Sequence, residues 1–168
     1  MIILLMGVAG TGKTTVGTLL AKKLGWSFYD GDDFHPPENI TKMEYGVPLT
    51  DEDRAGWLAR LQQLIQDCLQ QRQAAVIACS ALKQSYRDFL QQGNPQIHIV
   101  YLKGSPTLIA QRLQARTDHF MPPQLLDSQF MALEEPQGVL TLDITRPPQA
   151  LVQEIRETIT PNNRKTDS

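Results

Sequence analysis

The chain has 168 residues, 41% of them hydrophobic and 20% charged, with a formal net charge of −2. That length supports one well-buried core and is short for two domains, and the balanced charge with no long basic run gives no reason to expect nucleic acid or an anionic membrane as a partner. Cys68 and Cys79, the only two cysteines, have neither a C-x-x-C spacing nor a histidine cluster nearby, so neither a disulfide scaffold nor a zinc site is supported.

In chain order, Ile2-Ile3-Leu4-Leu5-Met6 reads as a buried strand. It is too short for a membrane span and lacks a cleavage-site pattern, which makes the cytoplasm the expected compartment. Directly behind it stands Gly7-Val8-Ala9-Gly10-Thr11-Gly12-Lys13-Thr14, a G-x-x-x-x-G-K-[ST] pattern with a helix-like segment following. Strand, loop and helix in that order are the context a triphosphate-binding loop requires. The glycines let the backbone curl and turn its N–H groups toward phosphate oxygens, and the helix adds the positive end of its dipole. Lys13 supplies a point charge for the outer phosphates, Thr14 a hydroxyl for Mg²⁺, and Thr15 a contact to an inner phosphate.

Val16, Leu19, Leu20 and Leu24 then give one apolar helical face that Gly25 terminates, and Ser27-Phe28-Tyr29 forms a short second strand. The strand opens into Asp30-Gly31-Asp32-Asp33-Phe34-His35-Pro36-Pro37, read as a loop at the sheet end where open α/β folds place ligands. Extended geometry would point Asp30 and Asp32 to opposite sides, one toward a water-bound Mg²⁺ and the other toward an acceptor group. A short helix over 38–46 ends at Gly46. A capping box at Thr50-Asp51-Glu52-Asp53 starts a longer helix whose apolar positions run from Trp57 to Leu69 with a 3.6 period, Trp57 being read as core.

Ala74 to Cys79 is a continuous apolar run, as a strand buried on both faces requires, and Ser80-Ala81-Leu82-Lys83 follows at its carboxyl end with a polar helix bearing Tyr86 and Arg87. Ile97 to Leu102 is the fourth strand. Ser105-Pro106 caps a helix expected to carry Arg112 and Arg116 on one face. After an irregular link come a helix with Leu125, Leu126, Phe130 and Leu133, a fifth strand over Val139-Leu140-Thr141-Leu142, the loop Thr145-Arg146-Pro147-Pro148 and a final helix. Asp143 is read as a strand-end or capping residue. The whole is a single domain over 1–160 with a polar tail over 161–168, an α/β fold with a five-stranded parallel sheet between helical layers. Insertions over about 35–60 and 116–135 are candidates for a substrate lobe and a closing lid.

No N-K-x-D tetrapeptide occurs, which removes a guanine-reading switch. Phosphoryl transfer to a hydroxyl needs Mg²⁺, a carboxylate near the acceptor and cations around the migrating group, and each has a candidate among these residues. The motifs beyond the phosphate loop resemble the gluconokinase family, within the shikimate kinase and nucleoside monophosphate kinase-like group. They are the segment Asp30 to Pro36 with Asn39 and Lys42-Met43, Pro48 to Arg54 with Trp57-Leu58, Ala78 to Lys83 with Tyr86-Arg87-Asp88, Tyr101 to Gly104, and His119-Phe120-Met121 with Ser128-Gln129-Phe130. Asp118 stands where that family usually shows glycine.

The resemblance implies transfer of the ATP γ-phosphoryl group to the 6-hydroxyl of D-gluconate, with ATP and Mg²⁺ as cofactors and commonly a homodimer. It implies that Asp32 grips the acceptor hydroxyl, Asp30 orders Mg²⁺ through water, and Arg54 holds the substrate carboxylate, although an ion pair of Arg54 with Asp51 or Glu52 is an alternative. Ser80, Lys83, His35 and, more weakly, Arg87 are candidates for polyol hydroxyls or phosphate. Arg112 and Arg116 would bring cations over adenine and the phosphates, and Arg146 with Pro147 would border adenine. His119 is assigned to the lid.

Overall fold

The structure is a computed structural model that describes residues 1–116 and 122–160. Asp118, His119 and the tail over 161–168 lie outside the described residues. Five parallel strands form one sheet in the order β2-β3-β1-β4-β5, with β1 at Ile2–Met6, β2 at Ser27–Asp30, β3 at Ala75–Ala78, β4 at Ile97–Lys103 and β5 at Leu140–Asp143. The central strand β1 pairs Leu4 with Ile77 on one side and with Ile99 on the other. All five of its residues are fully buried, which is why it carries no polar side chain.

Alternation along β1 feeds two cores. Ile2, Leu4 and Met6 pack with Trp57, Leu61 and Ile65 of helix α3 (Asp51–Gln70) and with Tyr86 and Leu90 of α4 (Gln84–Gln91). Ile3 and Leu5 pack with Val16 and Leu20 of α1 (Lys13–Leu24) and with Leu151, Val152 and Ile155 of α7 (Pro148–Ile159). Each such side chain stabilises the fold by about 1.5–3 kcal/mol when removed from water. The remaining helices are α2 (Pro37–Glu44), α5 (Pro106–Ala115) and α6 (Pro123–Ala132).

The expected elements are present, and the capping box at Thr50 is formed in both directions, Asp53 N–H to Thr50 Oγ1 and Thr50 N–H to an Asp53 carboxylate oxygen. Two local readings change. The stretch after β2 is a 3₁₀ turn over Gly31–Phe34, not an open loop. Arg116 is not on the face of α5, because the helix ends at Ala115 and Arg116 is extended at φ −81, ψ 129. Asp143 is a strand-end cap, its carboxylate accepting the Thr145 N–H at 2.9 Å.

Candidate active site

The sheet brings the carboxyl ends of β1, β2 and β3 together, and the phosphate loop rises from β1, the central strand of the sheet. Its first residue needs to be glycine: Gly7 has φ +152, and a Cβ there would lie 2.8 Å from the Leu102 carbonyl oxygen. The Gly7 N–H donates to Ser80 O at 3.3 Å, which ties the loop to the end of β3. Lys13 Nζ donates to the Gly7 and Val8 carbonyls at 2.8 and 3.0 Å. Burial beneath the loop lowers the Lys13 pKa, and the Asp32 carboxylate is the largest opposing influence, ahead of Cys79 and Asp30.

Asp30 and Asp32 part company through the 3₁₀ turn, not through strand alternation. One Asp30 oxygen accepts the Asp32 N–H at 3.0 Å, the other the Thr14 hydroxyl at 3.1 Å. Gly31 makes the turn possible, since a Cβ there would stand 2.4 Å from Ala78 O. Asp32 thereby lines a narrow cavity of about 90 Å³ that it shares with Ala9, Lys13, His35, Arg54, Trp57, Ser80, Ser128 and Gln129. Among the described residues no cluster of three or more His, Cys, Asp or Glu side chains could hold a metal by itself. The Thr14 and Asp30 pair has the oxygen donors of a Mg²⁺ site that draws its other ligands from phosphate and water.

His35 is stacked on Trp57, with ring centroids 4.4 Å apart and planes at 10°. The Asn39 amide nitrogen lies 3.2 Å from His35 Nδ1 and donates to Asp53 O at 2.8 Å. Because that nitrogen only donates, Nδ1 is the acceptor and the ring proton sits on Nε2. Burial, then the neighbouring Arg54, lowers the His35 pKa to about 4, so the ring is neutral at pH 7. Trp57 is core as expected, but it also walls the cavity and donates from Nε1 to Gly31 O at 2.8 Å.

Arg54 lines this cavity and a neighbouring one of about 460 Å³ that it shares with Asp51, Lys83 and Ser128. Its hydrogen bond goes to neither Asp51 nor Glu52; Nη1 donates to Tyr86 Oη at 3.0 Å. Tyr86 in turn donates to Asp51, which also pairs with Lys83 at 2.8 Å. Lys83 thus sits in the adjoining space, one step from the phosphate loop.

Arg87 is a correction. It is 1% exposed and faces neither cavity; its guanidinium donates to Ala81 O at 2.7 Å, Leu82 O at 2.9 Å and Glu134 O at 2.7 Å. It is the internal tie of the Ser80–Lys83 segment. A polar helix position at i+4 from Lys83 gave no sign in sequence that its side chain turns inward. Three further residues join these groups in ways that sequence spacing does not report: Tyr86 and Asp51, whose pairing spans 35 residues, and Gln129, which bonds Ala9 across 120.

On the opposite side of the phosphate loop, Gly10, Thr11, Gly12 and Thr15 line a groove of about 360 Å³ together with Arg112, Arg116, Arg146 and Pro148. Arg112 Nη2 donates to Ile144 O at 2.5 Å, and Arg146 pairs with Glu154. The groove takes Pro148, while Pro147 is the N-cap of α7 and does not line it. A larger cavity, about 670 Å³, lies elsewhere, between the ends of β4 and β5 and α6, lined by Tyr101, Lys103, Phe130 and Glu135. It contains no residue of the phosphate loop and is not the catalytic space.

The profile of the shikimate kinase family matches residues 9–159. The thermosensitive gluconokinase of Escherichia coli is 42% identical over 160 residues, covering 93% of this chain and 86% of the relative. The gluconokinase of Gluconobacter oxydans is 44% identical over 156 residues, covering 91% and 88%. The chain belongs to the gluconokinase family. A gluconokinase crystal structure from Sinorhizobium meliloti superposes with a TM-score of 0.81 at 44% identity, covering 90% of this chain and 87% of that one. Membership in this P-loop kinase family makes the protein an ATP-binding kinase. Among the described residues no helix is long and apolar enough to cross a membrane.

Proposed function

We propose that the protein transfers the γ-phosphoryl group of ATP to the 6-hydroxyl of D-gluconate, releasing 6-phospho-D-gluconate and ADP. The observation that carries the reading is the single cavity in which Lys13, Asp32 and Arg54 meet beside the phosphate loop. It offers a cation for the migrating group, a carboxylate for the acceptor hydroxyl and a guanidinium fork for an acid group, which is the chemistry of a small hydroxy acid. The names of relatives at 42 and 44% identity supply the acid.

In this reading ATP lies along the Arg112, Arg116 and Arg146 groove with its outer phosphates reaching Lys13. Phosphoryl transfer through a loose transition state asks chiefly for alignment and charge neutralisation. Asp32 accepts the acceptor hydroxyl's hydrogen bond and holds its oxygen in line. Arg54, steadied by Tyr86, clamps the carboxylate, while Ser80 and the Nε2–H of His35 bind chain hydroxyls. Thr14 and, through water, Asp30 would hold Mg²⁺, which when bound would supply positive charge to neutralise the phosphates. The segment 35–60 serves as the substrate lobe and 116–135 as the lid of a single kinase domain. The family resemblance supports a cytoplasmic homodimer, which light scattering on the purified protein tests.

The deciding assay is coupled ADP release with gluconate, shikimate and other sugar acids in parallel. Gluconate-dependent, Mg²⁺-dependent ADP release is expected; preference for shikimate would overturn the substrate, and nucleotide binding without acceptor-dependent turnover would overturn the activity.

A further inference from the structure

Gln129 reaches across 120 residues of sequence to the phosphate loop, its Oε1 accepting the Ala9 N–H at 2.8 Å. Ala9 is the loop residue on the acceptor side: it lines the cavity of Asp32, whereas Gly10, Thr11 and Gly12 line the nucleotide groove. We propose that Gln129 is a substrate-contacting bridge, fixing the outer edge of the phosphate loop through Oε1 and donating from Nε2 to the acceptor. This rests on the gluconate kinase reading above and adds a residue to its site.

The orientation follows from donor chemistry. A backbone N–H only donates, so the carboxamide oxygen must be the atom turned toward Ala9, and the two N–H groups are left on the other edge of the same rigid amide. Gln129 also lines the cavity that holds Asp32 and Lys13, so that edge adjoins the acceptor space. The helix that carries it is held in place. Leu126 and Phe130 of α6 pack into the second core, and beyond its end Glu134 N–H donates to Leu82 O at 2.8 Å while Arg87 holds Glu134 O. The α6 segment is thus tied to the Ser80–Lys83 edge of the same cavity.

A neutral amide also suits the charge pattern. A glutamate of the same length could accept the Ala9 N–H equally well, yet it would place a second carboxylate beside Asp32 and the transferring phosphoryl group, and it would have no donor to offer. The amide supplies an acceptor to the loop of its own chain and a donor to the substrate. Acceptor binding is thereby coupled to the position of the Ala9 amide at the acceptor edge of the loop.

The test compares Gln129→Ala and Gln129→Glu with wild type in full gluconate and ATP saturation series. A lost neutral hydrogen bond weakens binding about ten-fold, so Gln129→Ala is expected to raise the gluconate KM by about that factor and lower kcat, with the ATP KM within about two-fold. Gln129→Glu is expected to be slower than Gln129→Ala. Wild-type kinetics in Gln129→Glu would mean that the side chain merely braces Ala9, and that result overturns the proposal. So do an unchanged gluconate KM in both variants and an equal rise in both substrate KM values. Thermal unfolding with ADP present checks that the variants fold; should Gln129→Ala be unstable, the isosteric Gln129→Glu decides alone. A wild-type protein without gluconate-dependent turnover would instead sink the substrate reading, and an active wild type with unaffected variants sinks only this inference.

Discussion

The phosphate loop separates two unlike spaces. On one side Gly10, Thr11, Gly12 and Thr15 meet arginines from α5, its C-cap and the β5–α7 loop in a groove of about 360 Å³. On the other, Ala9 and Lys13 meet Asp32, His35 and Arg54 in a cavity of about 90 Å³ where Lys13, His35, Arg54 and Gln129 are each already hydrogen-bonded within the protein. The groove is made of long, partly exposed cations that adapt to a flexible anion. The cavity is preorganised, with a stacked histidine, a buried tryptophan and a 3₁₀ turn fixing its shape. On the proposed reading, specificity belongs to the rigid side, because groups held in place reject a molecule that cannot match them, and the open side gives affinity.

Substitutions that act on one side or both put this division to the test. Lys13 lines the acceptor cavity and is the cation that the outer phosphates would reach, so Lys13→Ala is expected to give the largest effect, a kcat loss of about three orders of magnitude or more with the fold retained. Steady-state ADP release and circular dichroism measure it. Asp32→Asn should cost about two to three orders in kcat while ATP binding, followed by calorimetry, stays near wild type. A near-normal rate would remove Asp32 from the mechanism. Arg54→Ala should raise the gluconate KM by about ten- to a hundred-fold, the worth of a charge-assisted pair of about 1.5–3 kcal/mol, with the ATP KM unmoved. On the open side, Arg146→Ala should raise the ATP KM only about two- to five-fold, since an exposed cation already paired with Glu154 contributes little and is screened by salt. Equal shifts of both KM values in the last two variants would break the division.

Local rules carried the sequence reading far. Apolar runs, caps and glycines marked every strand and helix, because those signals arise from neighbours within a turn or two. The phosphate loop, Thr14, Asp30 and the β5–α7 loop were legible for the same reason. What escaped depends on distant partners. Arg87 and Arg54 stand on helices with similar polar surroundings, yet one is spent on the carbonyls of a loop and the other opens on the cavity. Which is which follows from where residue 134 and Tyr86 come to lie, and no periodicity reports that. The split between Asp30 and Asp32 was expected from strand pleating, but the chain leaves extended geometry at Gly31, where contact with Ala78 O admits no side chain. Arg116 left its helix one residue early, which changed its backbone and not its place in the groove.

The smallest expected effect is on pH dependence, and it sharpens the contrast because only the rigid side holds a buried titratable ring. His35 has its pKa lowered from 6.5 to about 4, chiefly by burial and then by Arg54. A depressed folded-state pKa means that the unfolded chain binds a proton first as pH falls. The stability associated with the neutral ring is therefore complete above pH 6.5 and is lost progressively between 6.5 and about 4. Protonation would also convert Nδ1 from acceptor to donor and set it against the Asn39 amide that donates to it. His35→Gln removes the titrating ring, so urea unfolding at intervals between pH 7 and pH 4.5 should show a shallower fall in stability than wild type, the difference in slope approaching one bound proton. Identical slopes would mean that the ring is protonated as easily in the folded protein as in the unfolded chain. The Asn39 bond would then not fix its tautomer, and the cavity would be softer than its geometry implies.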